Sequence, residues 1–325
     1  MAGAWLQPAA THPDLTVVGL SDLNTAAAEK RRDEFAPGSA IGRDFSHMLA
    51  ELRPDVVFNC TVPAAHFPIT EEALRAGSHV LSEKPLANSM AEARSLVETA
   101  RTTNRLFAIS QNYRYNSSVR TVQSLIGTGV IGELTAVDCD FAVGAHFDGF
   151  RLEMEHVLLH DMSIHHFDLA RLFSDGLAVE VFCKEWNPKA SWYRHGANAH
   201  AIFTLSEGIV FSYRGSWCAE GTPTSWSGTW RFVGTKGTLR WDGADGISLE
   251  AVKTPGGFFS EISTTSMLVQ PAPGRDAGHA SIINEFVACL QHGTTPETNG
   301  ADNLHSLAMV FGAIESASRC LPVKL

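Results

Sequence analysis

At 325 residues, with 44% hydrophobic and 18% charged residues, the chain has the composition of an ordinary globular protein and length enough for two domains. A formal net charge of −10 argues against nucleic acid as the main partner, since binding phosphates needs clustered Lys and Arg. No apolar run approaches the ~18–20 residues that span a bilayer, and no basic segment followed by an apolar stretch opens the chain. The six cysteines are scattered without a CxxC pair, which points to reduced thiols in a cytoplasmic protein with no zinc site and no disulfide framework.

The first third alternates helix and strand. "MAGAWLQPAA" reads as a helix, "LTVVGLSD" as a short β-rich run, and "NTAAAEKRRDEFA" as a helix of good formers halted by "PG". "PDVVFNCTVP" has the Val and Phe content of a buried strand. In "FPITEEALRAG", Thr70 ahead of two glutamates and Gly77 after the last periodic residue mark a helix at both ends. "SHVLSEKP" is a strand cut off at Pro85, "SMAEARSLVETARTTN" a helix capped by Ser89, and "RLFAISQNY" a further strand. Strands separated by helices of this length predict a parallel sheet covered on both faces, in a first domain over residues 1–116.

From residue 117 to 325 the pattern is that of a second, α+β domain. The helix "SVRTVQSLIGTG" leads into "LTAVDCDFAV", "AVEVFCKEW", "NAHAIFTL", "IVFSYRGSW", "GTWRFVGT", "GTLRWDG" and "ISLEAV". Short Gly-containing turns such as "SEG" and "TKG" join several of these, the mark of an antiparallel meander. The helix "DMSIHHFDLARLF" interrupts the strands, and two helices, "ASIINEFVACLQHG" and "NLHSLAMVFGAIESASR", end the chain.

In a doubly wound sheet the ligand lies beyond the carboxyl ends of the strands, so those ends hold the candidate site residues. Asp22 ends "VVGLSD", where a carboxylate can accept hydrogen bonds from a ribose diol or cap the next helix. "FNCTVPAAH" supplies Thr61, Pro63 and His66, with Pro63 as a strand terminator and His66 as a structural imidazole the plainer readings. "VLSEKP" places Glu83 and Lys84 at a strand end, as site groups or as a surface ion pair. "SQNYRYN" brings Asn112 and Arg114 to the last strand end, where a salt bridge between domains is the alternative.

The densest cluster is "HVLLHDMSIHHFDLARLF". Asp161 and His165 are four apart and share a face of a helix, with Asp168 a turn on and His166 rotated away. Capping by Asp161, metal binding, and a proton-transfer site with an imidazole oriented by a carboxylate all compete; one loop supplies too little for a metal.

Together, "TVPAAH", "EALRAGSHVLSEKPLAN", "QNYRYN" and "HDMSIHHFDLARLF" resemble, in order and spacing, the glucose–fructose oxidoreductase and inositol dehydrogenase family (Gfo/Idh/MocA), and the C-terminal "INEFVACLQHG" segment does too. The resemblance implies a Rossmann domain followed by an α+β domain with a largely antiparallel open sheet, and hydride transfer between NAD, with NADP the alternative, and a hydroxyl carbon of a sugar, cyclitol or related polyol. It assigns Lys84, His165 and Asp161 to catalysis. Asp22, Thr61, Pro63, His66, Glu83, Lys84, Asn112 and Arg114 would line the cofactor groove. Lys84, Arg114, Asp161 and His165 would meet the substrate. No metal is implied, and a homo-oligomer formed through the second domain's sheet is. Ser163 stands where the family commonly has glycine.

One departure is larger. The family's first strand and glycine-rich turn have no counterpart here, and "MAGAW" matches the helix that follows them. In the order 3-2-1-4-5-6 that strand is central, so the expectation is an incomplete first sheet, weak NAD binding by this chain, and a true start upstream of the recorded one. Two other functions share the cleft: a catalytically silent sensor of sugar or nucleotide, and a glycoside hydrolase that reduces and reoxidises a held NAD.

Overall fold

The structure, a computed structural model, describes residues 2–270 and 278–325. It divides into two units, one holding the chain to Tyr115 together with a later segment ending at Leu304, the other beginning at Asn116 and closed by His305–Leu325.

The first unit runs α1 (Ala2–Thr11), β1 (Gly19–Ser21), α2 (Thr25–Phe35), β2 (Ala40–Gly42), α3 (Phe45–Leu52), β3 (Val56–Asn59), α4 (Pro63–Arg75), β4 (His79–Ser82), α5 (Met90–Thr103) and β5 (Phe107–Ile109). Every strand pair is parallel, but the strands form two sheets, β1-β2 and β3-β4-β5. These correspond to places 3-2 and 4-5-6 of the doubly wound order, and among the described residues no strand stands between them. Val80 and Leu81 of β4 are fully buried, as a central parallel strand requires. Local chemistry sets the helix starts: Asn24, Asp44 and Ser89 each accept a backbone N–H from the first turn of α2, α3 and α5. Helix α4 begins at Pro63, not near Thr70 as its sequence implied. Proline is well suited to the first turn, and Thr70, buried mid-helix, accepts a hydrogen bond from Asn59 Nδ2 at 3.0 Å.

The expected continuous second domain, 117–325, needs correction. Helix α9 (His279–His292) belongs to the first unit because its apolar face, Ile282, Ile283, Phe286 and Val287, shares one core with Trp5, Leu81, Ala108 and Tyr115. Tyr115 also donates a short hydrogen bond to Glu285.

The second unit contains α6 (Ser117–Gly127), β6 (Leu134–Ala142), α7 (Phe150–Glu153), a π-helical turn (Leu158–Ser163), α8 (Ile164–Ser174), β7 (Ala178–Trp186), β8 (Asn198–Leu205), β9 (Val210–Ser216), β10 (Thr229–Gly234), β11 (Gly237–Trp241), β12 (Gly246–Thr254), β13 (Glu261–Leu268), most of α10 (Gly300–Arg319) and β14 (Val323–Lys324). Its nine-stranded sheet has the order β13-β12-β11-β10-β6-β9-β8-β7-β14, antiparallel except for β6 with β9. Strict alternation along β8 puts Ala199, Ala201, Phe203 and Leu205 inside and leaves His200 and Ile202 outside. Helix α8 covers the inner face. Phe167 meets Phe203 edge-on at 4.8 Å, Phe173 meets Phe232 at 5.0 Å, and Phe211, Trp230 and Phe232 stack nearly parallel.

Candidate active site

In the first unit the candidate residues lie at the carboxyl ends of the parallel strands. Asp22 follows β1 and is exposed. Its Oδ1 accepts the Asn24 N–H at 2.8 Å, and among the described residues Oδ2 has no partner. Thr61 follows β3, its hydroxyl donating to Asn59 Oδ1 at 2.7 Å, and Pro63 opens α4. Lys84 follows β4, partly exposed, on a cis peptide to Pro85.

Three of the residues expected to line the groove, His66, Glu83 and Arg114, are buried. His66 is wholly buried, its Nδ1 2.6 Å from the Pro85 carbonyl and its Nε2 3.1 Å from the Thr61 carbonyl, so it ties the turn bearing Lys84 to the turn after β3. Burial pushes its pKa down, which keeps the ring neutral, with one nitrogen donating. Glu83, also buried, accepts from Trp5 Nε1 at 2.6 Å, from His279 Nε2 at 3.3 Å and from the Lys84 N–H at 3.2 Å. Burial alone would raise its pKa, but the His279 and Trp5 hydrogen bonds outweigh it and hold the carboxyl below its usual value. Trp5 and His279 give no sequence signal for this role, being separated from Glu83 by 78 and 196 positions. Arg114, in the 3₁₀ turn Asn112–Tyr115, is buried against Asp302 at 3.0 Å and Glu297 at 3.6 Å, both of its own unit. Asn112 sits half-buried at the start of that turn.

The donor set suits a dinucleotide. A carboxylate oxygen open at Asp22 fits a ribose diol, and at the end of β5 the Ser110 hydroxyl and both amide atoms of Gln111 are buried without a protein partner among the described residues, as groups awaiting a bound molecule or water are.

In the second unit Asp161 lies in the π-helical turn and His165 in the first turn of α8, so the regular four-residue spacing expected from sequence is interrupted by the wider turn. Both are buried, as are His166 and Asp168. Asp168 accepts from Ser306 Oγ at 2.6 Å, and Arg171 donates to the same hydroxyl at 2.7 Å, which makes that end of α8 structural. His166 faces the Tyr213 hydroxyl and the Trp226 carbonyl, and burial pushes its pKa down to about 4.

Asp161 is neither a helix cap nor solvated. Arg151 of α7 donates to it from Nε at 2.7 Å and from Nη2 at 3.2 Å, a two-bond fork. The Arg151 guanidinium carbon lies 4.9 Å from the centre of the Phe147 ring and 4.8 Å from that of Phe150. Nothing in the sequence singled out Arg151. Beside this, His156 Nδ1 lies 2.5 Å from Glu185 Oε2, and that contact raises the His156 pKa. Glu185 in turn lies over Gly196, where a side chain would collide with its carboxylate. Among the described residues no cluster of His, Cys, Asp and Glu suits a metal ion, and no helix is long and apolar enough to cross a membrane.

A parallel sheet with an acidic strand end and a lysine strand end, followed by a mixed sheet carrying a buried Asp–His helix, defines a dinucleotide-dependent oxidoreductase architecture. Residues 2–111 match the model of the GFO_IDH_MocA oxidoreductase family, NAD-binding Rossmann fold, and residues 119–240 match its C-terminal domain. The chain belongs to that family of oxidoreductases, whose cofactor is NAD. An uncharacterised protein, y4oX, of Sinorhizobium fredii is 27% identical over 96% of this chain and 88% of its own length. A D-apiose dehydrogenase of Paraburkholderia graminis is 27% identical over 95% and 83%. A solved oxidoreductase from Agrobacterium radiobacter, in complex with NAD+, L-tartaric acid and magnesium, superposes with a TM-score of 0.89 over 99% of this chain and 95% of its own, at 20% identity.

Proposed function

We propose that the protein is a dehydrogenase that transfers a hydride between NAD and a hydroxyl carbon of a sugar, cyclitol or related polyol. The observation that carries this reading is the order of the two family matches together with Lys84 at the end of β4 and His165 at the head of α8. The apiose dehydrogenase relative supports the substrate class.

Bound NAD supplies the hydride acceptor. Oxidising an alcohol also releases a proton, and His165 takes it from the reacting oxygen. The Lys84 ammonium donates a hydrogen bond to that oxygen, and Asp161, carried with Arg151, orients the substrate. Asp22 would accept hydrogen bonds from the adenine ribose hydroxyls. Thr61, Pro63 and Asn112 would border the cofactor, while His66, Glu83 and Arg114 would act one step back by fixing the turns that present them. The face of the second unit's sheet opposite α8 exposes Val179, Phe182, Trp186, Ile202 and Val210, with Phe182 directly across from Ile202, a patch suited to a second copy in a cytoplasmic homo-oligomer.

The test is cofactor reduction across a panel of sugars, cyclitols and their acids, with NAD and NADP compared. Asp22 repels a 2′-phosphate and the following Leu23, Asn24 and Thr25 offer no cation to pair with it, so the specificity constant for NAD should exceed that for NADP. A clear NADP preference would overturn the role given to Asp22, and net NADH formation separates a dehydrogenase from a hydrolase or a silent sensor.

A further inference from the structure

We infer that Arg151 is a carboxylate receptor and that the substrate is a sugar acid, of the aldonate or uronate class, in place of a neutral sugar or polyol. This deepens the dehydrogenase reading and rests on it.

A guanidinium has two edges that can each hold a carboxylate by two parallel N–H bonds. At Arg151 the Nε–Nη2 edge is taken by Asp161. Nη1 has no hydrogen-bond partner among the described residues, and the side chain keeps 18% of its surface, so the Nη1–Nη2 edge carries no protein carboxylate. The group is also held still. Two aromatic rings lie within 4.9 Å of its central carbon. Its short helix α7 is fastened from outside by the Arg194 N–H donating to Leu152 O at 3.0 Å and by the Arg194–Glu153 ion pair at 2.9 Å. The preceding loop is fastened at Ala145 O by the Tyr193 hydroxyl at 2.6 Å and by Trp192 Nε1 at 3.1 Å. A receptor built this way loses little freedom when it binds.

Charge points the same way. A buried Asp161 standing alone would repel an anion and favour the hydroxyls of a neutral sugar. Paired with Arg151, it contributes no net charge, and the guanidinium keeps N–H donors on the edge that Asp161 does not use. The nearby carboxylates are otherwise engaged, Glu153 with Arg194 and Glu185 with His156, and the remaining Asp148 and Glu155 are solvent-exposed. Tyr193, which lies in the field of both Asp161 and Arg151, stays a neutral phenol because burial pushes its pKa up. Lysine would neutralise Asp161 equally well; only the fork of arginine leaves a second edge for a planar anion.

The experiment is calorimetric binding of D-gluconate and D-glucuronate against D-glucose and xylitol, on the full chain and on Arg151→Lys and Arg151→Gln, with NAD reduction followed in parallel. The acids should bind on the order of 10- to 100-fold tighter than the neutral compounds, the range one or two charge-assisted hydrogen bonds supply. In both variants that ratio should fall toward one. Arg151→Gln strands a buried Asp161 and can fail to fold; Arg151→Lys keeps the charge pair and loses only the second edge. The inference is overturned if neutral sugars bind as well as the acids, or if the ratio survives Arg151→Lys. Acid binding without NAD reduction by any compound would refute the dehydrogenase and leave the receptor standing. Turnover of neutral sugars without discrimination would do the reverse.

Discussion

Strands β4 and β9 are both flanked by strands on either side, yet they belong to sheets of very different closure. Around β9, pairing runs without a break from Ala136 opposite Val210 to Ala142 opposite Ser216 on one side and along β8 on the other, and six further strands extend the sheet from there. In the first unit β4 has neighbours on both sides, but among the described residues β1 and β3 each keep one edge without a partner strand, and the β1-β2 ladder spans only Gly19–Ser21. Side chains carry more of the burden there: Trp5 closes the core and simultaneously satisfies Glu83. The second unit is held by a repeated pattern, the first by a few particular contacts. Of the candidate catalytic groups, Lys84 resides in the first unit and Asp161 and His165 in the second.

The largest expected effect is on turnover. Lys84→Ala and His165→Ala should each lower kcat by roughly 10²–10⁴-fold while NAD binding stays measurable. A flat pH profile with near-normal kcat in His165→Ala would remove it as the base and leave Lys84 as the candidate. Next come the cores. Trp230, 1% exposed and stacked on Phe211 and Phe232, should cost about 3–5 kcal/mol when replaced by alanine. The sharper comparison is Trp5→Phe, which keeps most of the bulk and removes only the donor to buried Glu83. About 1–3 kcal/mol in denaturant unfolding is expected from the loss of one hydrogen bond to a buried charged group. No measurable loss there would mean that the first unit does not depend on that contact.

The same contrast decides what could be read from the chain. Strands β7 and β8 were legible because their alternation is local and strict, as was α5 from Ser89 to Asn104. Strand β13 was not, because "EISTTSML" lies exposed at a sheet edge and never alternates with a core. Lys84, Asp161 and His165 were legible as residue types at spacings; Arg151 was not, because its partner lies ten positions on, across a loop and a π-helical turn whose hydrogen-bond pattern no periodicity announces. The return of α9 to the first unit was hidden for a related reason: an apolar helical stripe does not state which core it joins.

The smallest effect concerns protons, and it too divides along local environments. His160 and His166 are held neutral in the second unit, burial pushing each down to about 4, while the Glu185 contact raises His156. An unfolded histidine titrates near 6.5. Between about 6.5 and 4, therefore, the unfolded chain takes up protons that folded His160 and His166 refuse, and stability falls as pH falls, by about 1.4 kcal/mol per pH unit for each fully titrating group. His156 acts with the opposite sign: its contribution is complete below 6.5 and is lost as pH rises through its raised value. His160→Phe preserves the ring that meets Phe311 edge-on at 5.2 Å and removes one titration. Denaturant unfolding of the two proteins at pH 7, 6 and 5 should show the variant losing less stability on acidification, by about 1.4 kcal/mol per unit once the unfolded histidine is protonated. Equal pH dependence in the two proteins would place His160 in contact with solvent and free to protonate in the fold.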